Sequence, residues 1–104
     1  MSEKIETLNG IGTYKLKKPT KIDGNAVTEI NYNLADLNGA SIRKVRTELG
    51  KRSYVVSVQE LDVPYQAALF AEASGLTIEN IESLSMVDYT NISNIVRDFL
   101  MGEE

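Results

Sequence analysis

Tyr14–Leu34, written YKLKKPTKIDGNAVTEINYNL, decides the fold. Asp23-Gly24 sits between two runs in which apolar and polar residues alternate. A tight hairpin turn needs positive φ, and glycine supplies it without steric cost. On the second arm Ile30, Tyr32 and Leu34 share one face, while Glu29, Asn31 and Asn33 share the other. Tyr14 and Leu16 on the first arm match the apolar face. Pro19 cannot donate to a ladder, so it marks an edge or a strand end. Lys17-Lys18 beside it blunts that edge against stray pairing. A lone two-stranded hairpin is marginal in water, so its apolar face requires a cover.

Everything after the hairpin has helical spacing. Ile42, Val45 and Leu49 recur at i, i+3 and i+7 and predict a helix over Gly39–Leu49. Asn38 is the N-cap candidate, with Asp36 an alternative, and Gly50 fits the position just past the end. Arg43, Lys44, Arg46 and Glu48 form its outer face. Asp62 followed by Pro64 predicts a helix start, and the helix runs over Val63–Ser74 to Gly75. Ala67, Phe70, Ala71 and Ser74 form a small-residue stripe along it. Thr77 opens a short helix over Ile78–Leu84. Ser85 and Asp88 make a cap-like pair before a helix over Met86–Met101. That helix carries an amphipathic stripe of Ile92, Ile95, Val96, Phe99 and Leu100, which Tyr89 extends. In KRSYVVSVQELDV, strand and irregular connection both remain open. Residues 1–12 read as a loose lead-in, with Asn9-Gly10-Ile11-Gly12 a flexible turn. The expected architecture is α+β: an N-terminal β-hairpin at 13–34 and about four α-helices within 35–101, all in one domain.

The 104 residues contain no Cys and no His. That excludes disulfides, thiol nucleophiles, Cys/His zinc sites and imidazole acid–base chemistry. The net charge of −4 argues against a general nucleic-acid coat. The N-terminus MSEKIETLNG has no apolar signal core, and no run approaches the length of a membrane span. The expected setting is therefore soluble and intracellular. Glu79 and Glu82 lie one turn apart and are placed to share a cation, although a solvated acidic face explains them as well. Arg43, Lys44, Arg46, Lys51 and Arg52 form the densest charge. That cluster suits an acidic protein partner or, less well, RNA, or is simply a solvent face with cations favourably placed at a helix C-terminus. No residue pattern offers catalysis, a metal site or a cofactor site, which leaves an interaction role.

Two stretches carry a family resemblance. LKKPTKIDGNAVTEINYN followed by LNGASIRKVRTEL fits the pattern L-x-x-P-x-x-x-D-G-x-x-V-x-E and then a helix entry near Gly-x-[Asp/Ser]-Ile. Leu16, Pro19, Asp23, Gly24, Val27, Glu29, Gly39 and Ile42 carry that match. IENIESLSMVDYTNISNIVRDFL is similar to the family's ending through Ile81, Leu84, Asp88, Ile92, Val96, Phe99 and Leu100. The chain so resembles the small tail assembly chaperones of myophage-type tails, the group that includes the E protein of phage P2 and protein 41 of phage Mu. Ser41, where Asp is commoner, and the YVVSV stretch depart from the pattern.

The resemblance implies a non-enzymatic assembly factor in the cytoplasm of the bacterial host, absent from the finished virion. Its implied partner is the tape measure protein, with tail tube subunits and a second copy of the chain as further partners, and neither nucleic acid nor membrane. It also implies a longer product made by ribosomal frameshifting in many members. The competing possibilities are a small protein-binding adaptor and a minor structural component of the tail. The candidate partner contacts are Tyr89, Ile92, Val96, Phe99 and Met101 on the last helix, with Arg43, Lys44 and Arg46 on the first. Within the last helix, Ile92, Ile95 and Phe99 are expected in the core, leaving Tyr89, Val96 and Met101 partly free.

Overall fold

The computed structural model describes residues 10–52 and 62–102. Most of the expected lead-in (1–9), the YVVSV stretch within 53–61, and residues 103–104 lie outside the described residues. The order is β1 (Ile11–Ile22), β2 (Asn25–Asn33), a 3-10 turn (Leu34–Asp36), α1 (Gly39–Lys51), α2 (Val63–Ser74), α3 (Ile78–Glu82) and α4 (Met86–Leu100). The class is α+β, a two-stranded antiparallel hairpin followed by four helices.

The hairpin turns where the sequence demands it. Asp23 (φ 54°) and Gly24 (φ 83°) are both left-handed, the requirement of the tight turn that matches strand twist. Tyr14 faces Ile30 and Lys15 faces Glu29, but the next pair is Thr20 with Val27. Over that interval β1 advances five residues and β2 only two. The surplus makes a bulge that contains Lys17, Lys18 and Pro19. Proline inside a sheet is confined to edges, first residues and bulges, and here it occupies a bulge. β1 starts at Ile11, two residues before the expected 13. Gly12 is thus part of the strand rather than of a flexible turn.

Each helix is started by its own cap. The Asn38 side chain accepts from the N–H of Ala40 (3.0 Å) and of Ser41 (3.2 Å), and Ser41 Oγ accepts from the Asn38 N–H (3.1 Å). Ser41 therefore completes a capping box. Asp62 caps α2 through the Tyr65 N–H at 2.8 Å, and Thr77 with Asn80 boxes α3. Gly50 does not end α1. The helix continues to Lys51, because Arg52 supplies the C-cap: its N–H reaches the Leu49 carbonyl (2.9 Å), and its guanidinium is held by Glu79 and Glu82.

The small-residue stripe expected on α2 is only part of what that helix buries. Tyr65 through Ala71 are all buried, as befits a helix that is apolar on every side. It lies at the centre and packs against α1, α3, α4 and β2. Tyr32 of the hairpin meets Phe70 of α2 with ring centroids 5.1 Å apart, so the apolar hairpin face finds its cover on α2. Among the described residues no helix is long and apolar enough to cross a membrane.

Candidate functional site

α4 is fixed to the hairpin by one buried carboxylate. Asp88 is fully buried. Its Oδ1 accepts from the Tyr14 hydroxyl (2.6 Å) and the Lys17 N–H (2.8 Å), and its Oδ2 from the Lys18 N–H (3.1 Å) and the Ser85 hydroxyl (3.0 Å). The Asn91 amide donates to the Tyr14 oxygen at 2.9 Å. The bulge explains the geometry: the N–H groups of Lys17 and Lys18 fall in the interval where the ladder is broken, and Asp88 accepts both. Burial pushes the Asp88 carboxyl up. The Lys17 N–H, the Tyr14 hydroxyl, the Lys18 N–H and the Ser85 hydroxyl outweigh that and hold it below the ordinary carboxylate value. The Tyr14 hydroxyl is raised, first by burial and then by donating to Asp88. Sequence spacing identified Asp88 only as a weak cap partner of Ser85.

At the other end of α4 lies an apolar groove. Its floor is Leu34, Leu69 and Val96, all buried, and its partly exposed walls are Leu37, Ile42, Phe99 and Leu100. Asn38 is its one polar lining residue among the described residues. Three separate segments build it: the 3-10 turn with the start of α1, the middle of α2, and the last turn of α4. Such a groove offers contact area for an apolar side chain rather than reactive groups. No cluster of three or more metal-ligating side chains occurs among the described residues.

The glycine before β1 shapes one wall. Gly10 has φ +88°, and a Cβ built on it would lie 2.6 Å from the Phe99 ring. The Gly10 carbonyl also accepts the Leu34 N–H at 2.6 Å. Gly10→Ala is expected to lower stability by about 1–2 kcal/mol through the left-handed backbone and the collision. Thermal unfolding checks this, and an unchanged midpoint would contradict it.

The predicted contact residues separate. Phe99 lines the groove, and Met101, just beyond, is 51% exposed. Val96 also borders the groove, but as its floor at 0% exposure; the expectation that Val96 is partly free is corrected. It is enclosed because α4 packs against α2. Ile92 is in the core as expected, and Ile95 and Phe99 are only partly buried. Tyr89 is partly buried away from the groove. Its hydroxyl is raised by burial, and secondarily by Glu82 and Asp62.

The basic residues of α1 are largely engaged within the chain. Lys44 pairs with Glu72 (3.2 Å), Lys51 with Glu48 (3.4 Å), and Arg52 with both Glu79 and Glu82. The cation that those two glutamates share is thus Arg52. Arg46 lies over the Tyr65 ring, 5.9 Å from its centroid. Arg43 is exposed, without an ion-pair partner among the described residues.

The described residues thus place a hairpin on a central helix, beside an apolar groove walled by α1 and α4. Residues 13–101 match the family model described as phage tail assembly chaperone proteins, E, or 41 or 14. The chain belongs to that family. It matches no curated protein and no solved structure.

Proposed function

We propose that the chain is a non-enzymatic chaperone that binds the tape measure protein and so assists assembly of the tail tube. Family membership supports a role in tail assembly, and the groove of Leu37, Ile42, Phe99 and Leu100 is the observation that carries the choice of site. A long helical client presents apolar side chains at regular intervals, and helix-in-groove docking seats such spaced side chains as anchors. Met101, which follows the lining residue Leu100 in the chain, adds an exposed, adaptable apolar contact. Of the candidate contacts, Phe99 and Met101 meet the client directly, Val96 backs the groove, and Arg43, next to Ile42, meets carboxylates at its rim. The work is done in the host cytoplasm, before the virion is complete.

Production of the tape measure protein together with this chain tests the proposal. The two are expected to elute as one complex in size-exclusion chromatography, and mass spectrometry of finished particles is expected to find the chain absent. Separate elution would overturn the client assignment. Abundant copies in the particle would favour a structural component instead.

A further inference from the structure

The surface at the start of α4 differs from the groove in character. Met86 is 82% exposed and Val87 56%, the two most exposed large apolar side chains among the described residues. Both immediately precede Asp88, whose carboxylate binds the backbone of Lys17 and Lys18. The bulge backbone and the first turn of α4 are therefore adjacent. Lys15, Lys17, Lys18 and Lys21 are all exposed, with no ion-pair partner among the described residues. Asp88 does not neutralise them, because its oxygens are buried and committed to backbone and hydroxyl donors. The hairpin from 11 to 33 carries four lysines against two carboxylates, Asp23 and Glu29, in a chain of net charge −4. Its local charge is opposite to that of the whole.

We propose that the β1 bulge and the first turn of α4 form a second docking surface, for an acidic amphipathic helix of the client. This rests on the chaperone assignment above. The apolar ridge of that helix lies on Met86 and Val87, and carboxylates beside the ridge meet the Lys17 and Lys18 ammoniums. Charge complementarity selects this occupant. A nucleic-acid backbone would satisfy the lysines but leave Met86 and Val87 unused. The flexible methionine thioether suits a surface that must follow a helix of variable sequence.

The test measures affinity for the tape measure protein at low and high salt, using the intact chain, Lys17→Glu/Lys18→Glu, and Met86→Ser/Val87→Ser. All four side chains are exposed, and Asp88 binds only the backbone of the two lysines, so the variants keep the fold, as circular dichroism would verify. The charge reversal is expected to weaken binding about tenfold or more at low salt and to flatten the salt dependence. The serine pair is expected to weaken binding at both salt levels. Client binding within twofold of the intact chain for both variants would overturn this surface and leave the chaperone assignment standing. No client binding by the intact chain would overturn both. Salt-sensitive binding of a labelled oligonucleotide, lost in the charge-reversed chain while client binding persists, would assign the lysines to nucleic acid and overturn the proposal.

Discussion

Asp88→Ala is expected to lower the folding free energy by about 3–4 kcal/mol. The substitution leaves the Lys17 N–H, the Lys18 N–H and the Tyr14 hydroxyl without their acceptor, and each buried group left unsatisfied costs about 1–3 kcal/mol before the site relaxes. It also removes a negative charge from the first turn of α4, where the helix dipole favours one by about 0.3–1 kcal/mol. At about 4–8 °C per kcal/mol for a domain of this size, the melting temperature falls by at least about 12 °C. Asp88→Asn keeps the shape but turns an amide nitrogen toward donors, so it is also destabilising. Tyr14→Phe removes one of several bonds and loses only about 1 kcal/mol. Urea unfolding of the three variants gives the order, and a loss below about 1 kcal/mol for Asp88→Ala would show that the carboxylate does not hold the hairpin.

The same carboxylate sets the acid response. Its folded-state pKa is depressed, so its contribution is complete above its unfolded value of about 3.9 and is lost as the pH falls through the lower folded value. Acidification should therefore destabilise the intact chain more than Asp88→Asn, which has no such charge to lose. Tyr14 acts at the alkaline end. Its pKa is raised, so its contribution is complete below its unfolded value of about 10 and is lost as the pH rises through the raised folded value.

Ile42→Asp is expected to weaken client binding about 100-fold, close to 3 kcal/mol. Ile42 is a partly exposed wall of the groove, and an apolar side chain docked there would bury an unpaired carboxylate. The fold tolerates the change better than the complex does, because residue 42 is partly exposed in the free chain and a carboxylate there keeps contact with water. Ile42→Leu keeps the volume and should bind within a few-fold of the intact chain. Titration calorimetry with the tape measure protein separates the two, and equal affinities would remove the groove from the account.

What the sequence made legible was local. The Asp23-Gly24 turn could be read because positive φ restricts the residue choice at two adjacent positions. The caps Asn38, Asp62, Thr77 and Ser85 could be read because each bonds an N–H two or three residues away. Asp88 could not be understood in that way, since its acceptor role joins residues 70 or more positions apart. It also depends on a bulge that no local pattern announces. Gly50 misled because a glycine near a helix end usually stops the helix, whereas contacts from Glu79 and Glu82 to Arg52 carry α1 past it. The central place of α2 is visible in Tyr65–Ala71, where Gln66 is the only clearly polar side chain, whereas its small residues taken alone suggest a single stripe. Val96 looked free because the width of the face that α4 buries depends on what packs against it. The groove takes walls from three distant segments, and of its lining residues only Val96 and Phe99 are among the contact candidates that the sequence offers.

The soluble yield of the tape measure protein is the most direct test of the chaperone assignment. It would be produced alone, with the intact chain and with Ile42→Asp. The client is expected to be largely insoluble alone, soluble with the intact chain, and again largely insoluble with Ile42→Asp. Equal solubility of the client with and without the chain would contradict the chaperone assignment.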